Sequence, residues 1–351
     1  MMRIGVVVHG PEVIYSGFAS HVLDVLEGYG EVEARLGGTM GKCALFDVGE
    51  HRIDMLSEAP SESVNALSAC DVVVLANQAK SMESALAFGY MVAQNSSCDA
   101  LCQVEPGMCI PWRGRKEGEH IASILSLNIV EPIVEPSTIS GVKRQGSTVM
   151  RRVNGVRAGE SIRVNGIVVG RATSSNVVLV ERNGKIVDIV GGVLKRHGVE
   201  KLGRVNLENA IVRTGMLRRC VARRRVVSTK GSTIYLIDHD AEHCFELAPR
   251  AMGAITVGDD TTTICADILS RFSVPVLGIV DGDLDGSLVD STICPGSLIL
   301  RVRKGCDDIV GKLVRRRLFK GGTFISGKCF DEVRAEVLDI ADRWIVDAAH
   351  M

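Results

Sequence analysis

The chain has 351 residues, 46% of them hydrophobic, with 41 Lys plus Arg against 42 Asp plus Glu and a net charge of -1. That size and apolar content suit a globular protein of about two or three domains. The longest apolar runs, Ile4 to Val8 and Val72 to Ala76, fall far short of the roughly 20 residues that span a bilayer, and no charged start with an apolar stretch resembles a signal peptide, so a cytoplasmic protein without a membrane partner is expected.

The first segment alternates strand and helix patterns. Arg3 to His9, "RIGVVVH", reads as a buried strand, Phe18 to Glu27 has apolar residues at helical spacing, and Val32 to Leu36 is a weaker strand. Asp71 to Ala76, "DVVVLA", predicts another strand, followed by a helix from about Ala79 to Gln94. Alternation of this kind implies parallel pairing, so an α/β layered, Rossmann-like domain is expected over residues 1–135. Pro132 and Pro136 mark a linker.

From Gly141 to Lys230 the chain holds 20 Lys plus Arg against 5 Asp plus Glu, a local balance of +15 that leaves -16 for the rest. Asn154-Gly155, Asn165-Gly166 and Asn183-Gly184 are tight-turn signals, the last between "NVVLVER" and "KIVDIV". A basic, hairpin-rich small β domain is therefore expected over residues 136–230. It contains no Phe, Trp or Tyr, which argues against single-strand binding by base stacking there. Its Arg218, Arg219, Arg223, Arg224 and Arg225 could neutralise nucleic-acid phosphates, but pairing with the acidic flanking segments, or with a second copy or another protein, is the preferred reading.

Over residues 231–351 the α/β rhythm returns. "TIYLID", "AITVGD" and "PVLGIVD" read as strands ending at Asp238, Asp259 and Asp281, with a helix from Thr262 to Phe272 between the last two. Val333, Val337, Ile340, Trp344 and Ala348 predict one amphipathic helix over Asp331 to Ala349. The fold class is thus α/β, two Rossmann-like layered domains separated by a small β domain.

Ligands of open α/β sheets bind at the carboxyl ends of the strands. Acids stand at all three ends in the last domain: Asp238, then Asp259 and Asp260, then Asp281, Asp283 and Asp285. Converging carboxylates are costly unless a cation or protons neutralise them, and oxygen-only ligands suit Mg²⁺. Asp259, Asp281 and Asp283 are the expected metal ligands. In "VGDDTTT", Gly258, Thr261 and Thr262 are expected to cradle a phosphate at a helix start. The plain alternative is that the acids are helix caps and turn formers. His239 and His243, four apart in "DHDAEH", could join such a site as metal ligands or a general acid, though a solvated helix start is preferred.

A second set of polar groups gathers in the first domain: His9-Gly10-Pro11-Glu12, Lys42 at the end of "GGTMGK", Asn77 and Lys80. "GGTMGKC" is one residue short of a P-loop and has Cys43 where Ser or Thr should stand, so a generic anion or nucleotide pocket is the better expectation. The chain has eleven cysteines. Cys98, Cys102 and Cys109 do not match a zinc or iron–sulfur spacing, and reduced, buried thiols are expected.

"VDGDLDG" resembles the D-x-D-x-D-G motif that follows a strand in Toprim domains, the Mg²⁺ site of topoisomerases, primases and related nucleases. The likeness covers Ser232 to Ser287, and the glutamate of that family's first strand is replaced by Asp238 or Asp259. Over most of the chain, "HGPEVIYSG", "GGTMGK", "NGIVVGRATSS", "VGDDTTTICADILSRF" and "DGDLDG" together resemble an uncharacterised family of methanogenic archaea. That resemblance implies a cytoplasmic archaeal protein linked to methanogen physiology.

The function expected from these readings is Mg²⁺-dependent binding of a phosphate-bearing small molecule or nucleotide, for phosphoryl transfer or phosphoester hydrolysis. Two rivals stand beside it. One is a non-catalytic binding or assembly protein, and the other is an enzyme acting on nucleic acid, which is not favoured.

Overall fold

The computed structural model describes residues 1–38, 41–133, 141–165, 167–210, 212–215, 224–238, 241–282 and 293–351. The fold is mixed α/β, and the chain divides into two compact units, Met1–Arg218 and Arg219–Met351. The division leaves the strands of the basic β segment in the same unit as the first sheet and places its last residues, 219–230, in the other. Among the described residues no helix is long and apolar enough to cross a membrane.

The first unit is built on a seven-stranded sheet of β1 (Met2–His9), β2 (Gly30–Gly37), β3 (Ile53–Glu58), β4 (Val72–Asn77), β5 (Leu101–Glu105), β6 (Met108–Arg113) and β7 (Asn128–Ile129). Its order is β3-β2-β1-β4-β5-β6-β7, with β5 and β6 antiparallel and the other neighbours parallel. The chain winds outward from β1 in one direction and, after β3, from β4 in the other. The Val6-Val7-Val8 and Val72-Val73-Val74 runs are buried, as strands covered on both faces must be. Helices Phe18–Leu26 and Met82–Gln94 fall close to their expected places.

The remainder of this unit forms two four-stranded antiparallel sheets. One contains β8 (Val142–Gln145), β9 (Thr148–Val153), β12 (Val177–Arg182) and β13 (Lys185–Val190); the other contains β10 (Ser161–Val164), β11 (Ile167–Ala172), β14 (Gly192–Leu194) and β15 (Val212–Gly215). Val149, Ile162, Val164, Leu179 and Ile189 share one core. The β12–β13 hairpin turns at Asn183 and Gly184, with φ of 54° and 80°, the left-handed pair that a two-residue turn demands.

This β segment docks on the rim of the first sheet. Lys80, just beyond β4, places its Nζ 2.7 and 2.8 Å from the two carboxylate oxygens of Glu160. Arg152 pairs with Glu83 at 3.2 Å. At Gly155, where φ is +64°, an added Cβ would lie 3.0 Å from Ser84 Cβ.

The second unit carries a six-stranded sheet of β16 (Thr233–Asp238), β17 (Ala251–Val257), β18 (Val276–Val280), β19 (Leu298–Val302), β20 (Phe324–Ser326) and β21 (Ile345–His350). The order is β20-β16-β17-β18-β19-β21; the four central strands are parallel, and the two edge strands run antiparallel to them. The expected helix over Asp331 to Ala349 is corrected here. Helix Phe330–Ala341 ends where its buried face ends, at Val337 and Ala341, and Ile345–His350 extends as β21 against β19. The unpaired edge of β19 takes a β-branched Ile-Val start as a strand, and tertiary pairing overrides the helical period.

The Lys80–Glu160 pair tests the docking. Glu160 is almost fully buried, with a side-chain exposure of 4%, so Lys80→Met should destabilise the protein by about 3–5 kcal/mol in urea unfolding. Lys80→Met/Glu160→Met should cost less than the single change; equal or additive losses would show that the ion pair does not hold the β segment.

Candidate functional site

The second unit gathers acids at the carboxyl ends of three adjacent parallel strands. In register, Val257 stands beside Ile279 and Ile279 beside Leu300, so the tips of β17, β18 and β19 end at one level, about 4.8 Å apart. Asp259 follows β17 through Gly258, Asp281 follows β18 directly, and Asp307 opens the helix after β19. Single carboxylate oxygens of Asp259, Asp281 and Asp307 all lie within 4.8 Å of one another, and the residues are only 7, 9 and 7% exposed.

Two helices bring the outer acids in. Asp259 starts helix Asp259–Ser270 after Gly258, whose φ of 93° and ψ of 148° turn the chain sharply out of the sheet. The first turn of that helix presses onto β18, because an added Cβ on Gly278 would sit 2.3 Å from Thr262 Cγ2. Helix Asp307–Arg317 approaches β17 in the same way, since a Cβ on Gly311 would fall 2.8 Å from both methyl groups of Val257. Acids at helix starts also meet the positive end of the helix dipole.

Backbone donors orient the carboxylates. The Gly305 N–H donates to Asp281 Oδ2 at 2.8 Å, the Asp281 N–H reaches Asp259 Oδ2 at 3.4 Å, and Gly258 N–H ties to the Ile279 carbonyl at 2.9 Å. The resulting donor set is all oxygen and strongly anionic. A hard divalent cation with metal–oxygen distances of about 2.0–2.6 Å bridges oxygens up to about 4–5 Å apart, so the three acids match its size as well as its charge.

Of the expected ligands, Asp259 and Asp281 are brought together, and Asp283, with Asp285, lies outside the described residues. Asp307 was not anticipated. Its signal was the repeat of the same pattern, an apolar strand "LILRV" followed within a few residues by an acid at a helix start. Asp238 ends β16 and instead lines a cavity of about 700 Å³ with Tyr235 and Phe324.

The expected phosphate cradle is placed less uniformly. Gly258 and Thr261 stand at the helix entrance, whereas Thr262 is fully buried with its hydroxyl 2.8 Å from that of Thr256. Thr263 donates back to the Asp259 carbonyl at 2.8 Å. The first intrahelical bond runs from the Thr262 N–H to the Gly258 carbonyl at 2.9 Å, so the N–H groups of Asp259, Asp260 and Thr261 precede it and have no acceptor within the helix.

Elsewhere the polar groups expected to form sites are engaged with one another. In the first unit the buried Glu105 accepts from Asn77 Nδ2 at 2.7 Å, Gln103 Nε2 at 2.6 Å and the Ala79 N–H at 2.7 Å. The His9 ring lies on Phe88, 4.3 Å between centroids, and its Nδ1 is 2.8 Å from the Gly37 carbonyl oxygen. Lys42 is buried at the start of helix Lys42–Val48. Cys98, Cys102 and Cys109 are free and buried; a hydrogen bond with Cys109, together with burial, pushes the Cys102 thiol well above the ordinary cysteine range.

In the arginine run, 218, 219 and 223 lie outside the described residues, as does His239. Arg224 pairs with Asp267 at 2.6 Å, and the buried Arg271 meets the same carboxylate at 2.8 Å. His243 is exposed in the short turn Ala241–His243.

The architecture and the acid cluster define a mixed α/β protein with a candidate cation site at the rim of a parallel sheet. A family model described as "Uncharacterized protein conserved in archaea (DUF2117)" matches residues 6–322, and the chain belongs to that family. An uncharacterized protein of Methanocaldococcus jannaschii is 40% identical over 352 residues, covering 95% of this chain and 96% of that protein. No solved structure matches. These comparisons bear out the archaeal family resemblance, and none of them carries the Toprim likeness further.

The close approach at Gly278 sets the position of Asp259. Gly278→Ala should lower stability by about 1–3 kcal/mol in urea unfolding. Thr262→Ser, which removes the methyl group in the way, should restore part of that loss in the double variant; no restoration would mean that another contact fixes the helix.

Proposed function

We propose that the second unit binds a divalent cation, Mg²⁺ by its oxygen-only donors, and through it a phosphate-bearing small molecule or nucleotide. The observation that carries the reading is the burial of three carboxylates with oxygens inside 4.8 Å. Three neighbouring negative charges removed from water are strongly unfavourable without a counter-charge. Asp259, Asp281 and Asp307 hold the ion in this reading, with Asp283 two residues beyond Asp281 in the chain as a further ligand.

The phosphate of the ligand sits where the ion and the start of helix Asp259–Ser270 both face it. The N–H groups of Asp260 and Thr261 in the first helical turn supply donors and the helix dipole favours the negative charge. Gly258 allows close approach because it carries no side chain. A cation so placed polarises a phosphoryl oxygen and orients the ligand, which suits phosphoryl transfer or phosphoester hydrolysis in a cytoplasmic protein.

Thermal unfolding of the whole protein measures the ion directly. Mg²⁺, Mn²⁺ or Ca²⁺ at about 100 times its dissociation constant should stabilise by about 2.7 kcal/mol and raise Tm. Asp281→Asn and Asp307→Asn should each abolish the rise. A Tm unmoved by all three ions overturns the reading, and a rise with no turnover of phosphate esters returns the site to a non-catalytic binding role.

A further inference from the structure

A second feature of the same unit lies at the far end of helix Asp307–Arg317 and owes nothing to the acid cluster. Lys312, Arg315, Arg316 and Lys320 line an open depression of about 370 Å³ together with Gly321. All four cations are exposed, and among the described residues none of them forms an ion pair. Lys312, Arg315 and Arg316 are three and four apart, so they share one helix face. Arg315 donates Nε–H to the Gly321 carbonyl at 3.2 Å, which fixes its guanidinium plane and leaves the terminal amino groups for a ligand.

The depression is not isolated, because Arg315 also lines the neighbouring 370 Å³ site's larger companion, the cavity of about 700 Å³. Tyr235 and Phe324 line that cavity and stand directly opposite each other across the β16–β20 pair. Side chains so placed point to the same face with Cβ atoms about 4.5–5.5 Å apart. Phe324 is 62% exposed, an unusual position for a large apolar ring in a chain with only 8 Phe and 4 Tyr.

Four exposed cations without carboxylate partners, gathered on one surface, attract an anion, and the exposed Phe324 ring, with Tyr235 opposite it across the strand pair, offers a stacking surface beside them. Nucleotides combine those two chemistries in one molecule: phosphate for the guanidinium groups and a base with a π-face for the rings. We infer that this surface is a nucleotide-recognition site, with phosphate held by Arg315, Arg316, Lys312 and Lys320 and the base stacked on Phe324 and Tyr235. Its distance from the acids is set by the helix: nine residues from Asp307 to Arg316 span about 13 Å. The ligand chemistry is shared by free nucleotides and single-stranded nucleic acid.

The test uses the whole protein in EDTA, so that any failure of the cation site leaves it unaffected. Two probes separate the sources: ATP by calorimetry and a fluorescein-labelled twelve-nucleotide oligouridine RNA by anisotropy. Binding of ATP identifies a free nucleotide, and binding of RNA alone identifies a strand; either supports the inference. Arg315→Ala/Arg316→Ala should weaken binding at least tenfold and, for RNA, reduce the slope of log affinity against log salt by about 1.4. Phe324→Ala should weaken it by about fivefold to a hundredfold with the salt slope unchanged. Lys116→Ala, an exposed cation of the first unit, should leave binding intact. Absence of binding by both probes, an arginine variant no weaker than Lys116→Ala, or full affinity in Phe324→Ala would overturn the assignment; circular dichroism of each variant excludes loss of fold.

Discussion

Three carboxylates held within 4.8 Å of one another, out of contact with bulk water, impose a condition that the second unit must meet. Mutual repulsion in a poorly polarisable setting would drive them apart or leave them protonated. The surrounding backbone is shaped to keep them together instead. Two glycines let helices press onto the sheet, and N–H groups of Asp281 and Gly305 hold individual oxygens. Such an arrangement needs protons or a positive charge to offset the repulsion, and the backbone around it sets where that offset can act.

The first unit solves the comparable problem in the opposite way. Glu105 is as buried as the acids of the second unit, yet it stands alone among donors, with Asn77, Gln103 and the Ala79 N–H converging on it. Two sheets in one chain thus carry buried acids at strand ends, Glu105 satisfied internally by hydrogen bonds and the three aspartates crowded against one another.

The sequence disclosed those parts of the fold in which local pattern and tertiary role agree. β1 and β4 were readable because strands buried on both faces are uninterrupted runs of valine and isoleucine or leucine, and the β12–β13 hairpin because Asn183-Gly184 is the chemistry of its turn. β21 was hidden: Trp344 and Ala348 continue a helical spacing, and only the open edge of β19 makes the segment a strand. Thr262 misled for a related reason. The helix begins at Asp259 rather than at Thr262, so Thr262 falls one turn inside and faces Gly278. Asp307 escaped notice because its strand was not recognised, and nothing local marks an acid as the neighbour of two others 26 and 48 residues earlier in the chain.

The contact between Lys80 and Glu160 has a consequence for how this protein can be divided. A fragment ending near residue 133 would contain a complete seven-stranded sheet, but Lys80 and the first turn of helix Met82–Gln94 would lose the cover they receive from Arg152, Gly155 and Glu160. The reciprocal fragment would lack the Lys80 ammonium that meets Glu160 in the whole chain. Cutting between the two pieces breaks that contact on both sides, so an exchange of segments between related genes keeps the pairing only when Lys80 and Glu160 move together.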